Sequence, residues 1–292
     1  MASYIFPKSD LGGAKWSVDE HFSDEYRAAE SSAPVALVDL YSLQDRPQMR
    51  LPENFSSPVI YRGWMLTETE YKALEKALKI RGFSLVTDSE QYLKAHEING
   101  WIEALSDHTP ATVVLPMNIT KDALLESTKT LPQDDGLFIK GVSKSNSGLT
   151  KVEPDEDLSE ALKRFRDLEY LNDSDQAVIR SFVPLNKQLA ELRAWFVNGS
   201  FVKIMVHPNF TDESLHNPLE SPDLLSALED KLKAVSECVQ DLELDFCTVD
   251  FAFTESGSVL VIELGDGQVS GVTGAGSDLD DFYHLLTESF GS

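Results

Sequence analysis

The sequence predicts an α/β lobe at the amino end followed by two α+β lobes, and three observations carry that expectation. Across residues 1–115, short apolar runs alternate with helical periods, the order that builds a mostly parallel sheet with helices on its faces. In the second half, pairs of alternating runs flank two hairpin turn signals, Asn198-Gly199 and Ser256-Gly257. Before, between and after them lie helices with a single apolar stripe, at 157–170, 222–240 and 278–290. With 292 residues there is chain enough for two or three compact lobes, and the sequence divides into 1–115, 116–185 and 186–292.

In the first lobe, the apolar runs at 35–40 and 58–61 suit strands buried on both faces. The polar, Pro-containing stretch 44–57 has no period and reads as loop. Thr67 and Glu70 form a capping box for a helix that carries Tyr71, Leu74 and Leu78 and stops at Gly82. Residues 83–86 and 111–115 read as strands, and 92–96 and 100–105 as helical. Arg62-Gly63-Trp64 follows the 58–61 strand at its carboxyl end, where open α/β sheets place their ligands. Arg62 is therefore a candidate clamp for a substrate carboxylate; the alternative is that Trp64 plugs the core and Arg62 pairs with a nearby acid. His96, alone on its helix, reads as structural.

In the second lobe, a helix over 121–129 precedes a strand, 136–141, that ends in Lys140. The Ser/Gly-rich loop 142–148 carries Lys144. A lysine at a strand end beside such a loop can reach phosphates with its charge while loop amides donate to them. The strand 177–183 stops at Pro184. In the hairpin 191–203, Glu191, Arg193 and Trp195 share one face by period two.

The second hairpin carries the sharpest signal. With Ser256-Gly257 as a two-residue loop, Asp250 stands opposite Glu263 on one face, and Phe251, Phe253, Leu260 and Ile262 occupy the other. Carboxylates about 5 Å apart across a ladder repel each other. A divalent cation would turn that repulsion into a site, since Mg²⁺ takes one or two carboxylates plus substrate phosphates. The alternative is a solvated acidic edge. The strand then opens into the polar, Gly-rich turn 263–268 (ELGDGQ), a common place for active-site groups.

This hairpin resembles the metal-binding end of ATP-grasp ligases, in which an Asp on one strand and a Glu of an E-x-N motif on the next hold Mg·ATP. Asp250 matches the first and Glu263 the second. Gly265 stands where that motif has Asn, so Asp266 or Gln268 becomes the candidate third ligand. The YRGWM, F-x-K, ELR and ELGDGQ segments are most similar to a branch related to the RimK-type ligases. The resemblance spans roughly residues 58–285. Each motif alone is weak, but Lys140, the hinge, Glu191 with Arg193, Asp250 and Glu263 follow the family's order.

The resemblance implies an ATP-grasp fold preceded by a pre-ATP-grasp domain. It implies ATP and Mg²⁺ as cofactors, with Lys140, Lys144, Arg193 and Lys203 toward the phosphates, Phe182 and Val183 at the adenine hinge, and Glu191 at the ribose. Arg193 and Lys144 are its candidate catalytic residues. The activity it implies is ATP-dependent ligation of a small-molecule or peptide carboxylate to an amine or thiol through an acyl phosphate. A kinase or phosphotransferase, or a nucleotide-binding module without chemistry, are the alternatives.

Composition sets the remaining limits. The formal charge of −24, from 49 acidic and 25 basic residues, argues against a nucleic-acid partner, whose phosphates need clustered Lys and Arg. No stretch reads as a signal peptide or a membrane span, and Cys238 and Cys247 read as free thiols. A soluble, cytoplasmic monomer or homodimer with no membrane partner is expected.

Overall fold

The computed structural model describes residues 2–10, 16–143, 150–169, 175–274 and 276–291. Its strands form three four-stranded sheets. The first sheet belongs to the amino-terminal lobe, which runs β1 (Ser3–Pro7), α1 (Ser23–Ser32), β2 (Val35–Asp39), β3 (Gln48–Arg50), β4 (Val59–Tyr61), α2 (Glu68–Ile80) and α3 (Ser89–His96). Strands β2 and β4 flank β1 in parallel, and β3 closes one edge antiparallel to β2. The parallel core is as expected, and the Thr67–Glu70 capping box is formed at α2. Three elements lie where none is expected, the first being β1 itself, the central strand of the sheet. The strand β3 interrupts the polar stretch 44–57, and α1 buries only Ala28 and Ala29, too little apolar surface to announce a helix in sequence. The expected strand at 83–86 amounts to one bridge, Leu85 to Val59, and the expected helix at 100–105 is a run of turns.

The second sheet contains β5 (Thr112–Pro116), β6 (Leu137–Gly141), β7 (Thr150–Val152) and β8 (Gln176–Ser181), with α4 (Lys121–Thr128) and α5 (Leu158–Leu168) against it. Strand β5 pairs antiparallel with β8, so it belongs here and the division at 115 cuts through it. An apolar run shows that a strand forms but not which sheet receives it.

The third sheet, in the order β10-β9-β11-β12, is built from β9 (Leu192–Val197), β10 (Ser200–Val206), β11 (Phe246–Phe253) and β12 (Val259–Asp266). The Asn198-Gly199 turn forms, with φ of 50° and 72° at its two residues, the positive values a tight hairpin of this hand needs. The long helix α6 (Pro222–Asp241) covers one face, burying Leu228, Val235 and Val239 against Leu192, Ala194, Val249 and Val261. The other face, through Trp195, Val197 and Phe246, packs with α7 (Ser277–Gly291) and the Tyr4 and Phe6 side of the first sheet. Among the described residues, no helix is long and apolar enough to cross a membrane.

Asp250 does pair with Glu263, but not through a two-residue loop. The loop holds three residues, 255–257, closed by the Thr254 N–H to the Ser258 carbonyl and the Gly257 N–H to the Thr254 carbonyl; Gly257 has φ of 83°. Farther along, Asp250 faces Glu263 while Phe251 faces Val261, so Ile262 is an extra, bulged residue. The two irregularities offset each other from the acidic pair out to Cys247 and Asp266, but not between that pair and the turn. Val259 and Val261, rather than Leu260 and Ile262, join Phe251 and Phe253 in the core.

Candidate nucleotide and metal site

A cleft of about 450 Å³ opens between the second and third sheets. It is lined by six residues singled out in the sequence: Lys140, Phe182, Val183, Glu191, Asp250 and Glu263. Its lining combines apolar side chains, Phe138, Phe182, Val183 and Ile262, with charged ones, Lys140, Glu191, Asp250 and Glu263. Such a size and lining suit a ligand with a flat apolar part and a polar tail. The Phe182 N–H is bonded to the Gly136 carbonyl, so a purine edge at the hinge must meet other groups.

Four charged residues meet at the cleft. Register places Arg193 of β9, Asp250 of β11 and Glu263 of β12 side by side across three neighbouring strands. The Arg193 Nε donates to Asp250 Oδ1 at 2.7 Å and its Nη2 to Oδ2 at 2.8 Å. From β6, Lys140 Nζ reaches Glu263 Oε1 at 3.2 Å. Glu191 lines the cleft near both acids, and burial first, then the charges of Asp250 and Glu263, push its carboxyl up to about 7.

The donors present fit a metal that arrives with phosphate. Among the described residues, no three His, Cys, Asp or Glu side chains gather closely enough to hold an ion by themselves. Asp250 and Glu263 would offer two adjacent hard oxygen ligands, the number Mg²⁺ takes from protein when a nucleotide completes its shell.

Several expectations need correction. Arg62 does not open into a crevice. It is 1 % exposed, and every N–H of its fork is engaged: Nε with Glu25 and the Tyr283 hydroxyl, Nη1 with the carbonyls of Gly267 and Gln268, and Nη2 with Glu25 and the Ser270 carbonyl. No prong is left for a substrate carboxylate. Trp64 neither clamps nor plugs; it is 45 % exposed, with Nε1 donating to Asp19.

Asp266 is not among the cleft-lining residues. Three positions from Glu263 along a strand, it leaves the opposite face, is fully buried, and accepts the Gln268 N–H. Burial pushes its carboxyl up to about 7, opposed by the Gln268 hydrogen bonds and Arg62. Gln268 also turns to the amino-terminal lobe, accepting the Tyr61 N–H at 3.0 Å and donating to the Tyr71 hydroxyl. The YRGWM and ELGDGQ segments therefore clasp each other. Arg193 stands behind the cleft wall, 3 % exposed, with its fork spent on Asp250. Lys203, opposite Trp195 on the edge strand β10, is not among the cleft-lining residues. Lys144 lies outside the described residues.

Two titratable lining residues had no role assigned from sequence. His207, just beyond β10, comes within 3.6 Å of Asp250 Oδ2, a tertiary contact that a period-free loop does not betray. Arg180, two positions before Phe182 and so on the same strand face, was legible in placement but not in purpose.

An amino-terminal α/β lobe followed by two lobes whose sheets enclose a charged cleft is the ATP-grasp fold. Residues 79–286 match the model of an ATP-grasp domain family, the third family of its clade, and the chain belongs to that family. Among solved structures the chain is similar to D-cycloserine synthetase DcsG, with a TM-score of 0.60 and 15% identity over 99% of each chain. It is equally similar to an ATP-grasp RimK domain protein from Sphaerobacter thermophilus, with a TM-score of 0.60 and 15% identity over 100% of each chain. The D-alanine–D-alanine ligase of Bacillus anthracis, solved in complex with ATP, matches with a TM-score of 0.57 and 13% identity, over 99% of this chain and 94% of that one. Identities this low speak to the fold. No curated protein matches the sequence.

Proposed function

We propose that the chain is an ATP-dependent ligase that joins a carboxylate to an amine or thiol through an acyl phosphate. The observation that carries this reading is the pairing of Asp250 with Glu263 inside a cleft that also presents Lys140. Phosphoryl transfer asks for positioning and charge neutralisation more than for a covalent catalyst. Asp250 and Glu263 would hold Mg²⁺, which supplies charge neutralisation at the phosphates. Lys140, placed on Glu263 by β6, would move its charge onto phosphate oxygens as the nucleotide enters. Arg193 fixes the Asp250 carboxylate in one orientation through two hydrogen bonds. Phe182 and Val183 would line the base, and Glu191 would meet the ribose. The related solved structures named as a synthetase and a ligase support the same class of reaction.

ADP release that requires both a carboxylate and an amine, with the amide found by mass spectrometry, tests this reading. Release with the acid alone and a stable phosphorylated product would replace it with a kinase. The Arg193 fork on Asp250 and the glycine at 265 favour one further reading, a module that binds nucleotide without turnover. ATP binding with no ADP release under any acid and amine would establish that.

A further inference from the structure

The cleft wall contains a third cation that the account above leaves unused. Arg180 lies on β8 across from Phe138 and is 6 % exposed. Its Nε donates to Thr112 Oγ1 at 2.9 Å and its Nη1 to the Ile262 carbonyl at 2.9 Å. Its Nη2 is buried and has no hydrogen-bond partner among the described residues. Buried guanidinium nitrogens are rarely left so, and each such case asks for a missing acceptor.

Charge points the same way. The cleft's other cations are matched: Lys140 engages Glu263 and Arg193 engages Asp250. The charge that Arg180 feels is Glu263, already held by Lys140. Arg180 is thus the one cation of the described cleft without a carboxylate of its own. Two fixed hydrogen bonds preset its plane, so little freedom is lost when Nη2 gains an acceptor. The carbonyl it grips belongs to the bulged Ile262, the residue before Glu263, and Arg180 itself lines the cleft.

We infer that Arg180 is an anion subsite of this cleft, donating from Nη2 to a phosphate oxygen of the bound nucleotide. The inference rests on the nucleotide reading of the cleft and adds to it a phosphate ligand that comes from the hinge strand.

Calorimetric titration of the full chain with ATP, ADP and adenosine, on wild type, Arg180→Met and Arg180→Lys, tests it. The inference expects Arg180→Met to weaken ATP and ADP by tenfold or more while adenosine changes less than threefold. Arg180→Lys should fall between. Inorganic tripolyphosphate, which has neither base nor ribose, should raise the melting temperature of wild type and not that of Arg180→Met. Unchanged ATP affinity in Arg180→Met would overturn the subsite, as would an adenosine loss equal to the ATP loss. If Arg180→Met does not fold, Arg180→Lys decides: a loss selective for ATP over adenosine supports the subsite, and none refutes it. Wild type that binds no nucleotide would refute the nucleotide reading itself, an outcome distinct from either.

Discussion

Arg193 on β9 holds Asp250 on β11 with both prongs of its guanidinium, at 2.7 and 2.8 Å, and each residue is 3 % exposed. The strand register continues the row to Glu263, and Lys140 from the neighbouring lobe closes it. Charges therefore alternate along four residues drawn from two sheets. Each carboxylate has its cation before any ligand enters, so two acids can stand side by side in the wall of a cleft. A buried pair broken on one side leaves an uncompensated charge, typically about 3–5 kcal/mol of destabilisation. Arg193→Met should accordingly unfold in denaturant several kcal/mol more easily than wild type. Arg193→Met combined with Asp250→Leu should recover most of that loss, and a double variant no more stable than the single would show that the pair does not couple.

Lys140 has the more exposed bond of the row, at 3.2 Å to Glu263. We expect Lys140→Ala to weaken ATP by about tenfold or more, the worth of one charge-assisted hydrogen bond of about 1.5–3 kcal/mol, while adenosine is little affected. Equal losses for both ligands, measured by calorimetry, would show that Lys140 supports the lobe and not the phosphates.

Arg62 ties the lobes and touches no cleft residue that the site requires. Replacing it strands Glu25 and frees three carbonyls of the 267–270 turn. Arg62→Met should lower unfolding stability by roughly 3–5 kcal/mol, read in a denaturant melt. A stable variant with a selectively raised KM for the acid substrate would restore the substrate role that its burial argues against.

Asp266 makes stability depend on pH. Its carboxyl rises from an ordinary 3.8 in the unfolded chain to about 7 when buried. A raised folded-state value means that the stability it contributes is full below about 4 and is lost as pH climbs toward 7. Three units correspond to at most about 4 kcal/mol. Asp266→Asn, which keeps the acceptor for Gln268, should melt higher than wild type at pH 8 and equal it near pH 4. Glu191, pushed up to about 7 as well, adds to the same slope, so the variant should flatten the curve without abolishing it. Identical pH profiles for variant and wild type would contradict the assignment.

The sequence disclosed the site better than its surroundings, for physical reasons visible in single residues. Asp250 and Glu263 were legible because period-two alternation and a Gly-containing turn constrain pairing locally. Even so, the three-residue loop and the Ile262 bulge were not, and the match at the acidic pair depended on their compensation. Lys140, Phe182, Val183 and Glu191 were legible through order along the chain and resemblance, and the cleft gathers all four. For Arg62 the alternative reading, an ion pair with an acid, matches the structure, but the acid is Glu25, 37 residues away, which no local period encodes. Asp266 was misread because a strand position three beyond Glu263 was counted as turn, where facing is unconstrained, although β12 runs through it.

The central claim is that Asp250 and Glu263 hold the metal of a bound nucleotide. Calorimetric ATP titrations of wild type and Glu263→Gln, each with and without Mg²⁺, test it most directly. Glu263→Gln lowers local negative charge beside Asp250 and Glu191, so the fold should persist, which a melt will verify. The account predicts that Mg²⁺ strengthens ATP binding to wild type by tenfold or more and that Glu263→Gln abolishes this gain together with ADP formation. Mg²⁺-dependent binding and turnover that survive unchanged in Glu263→Gln would contradict it.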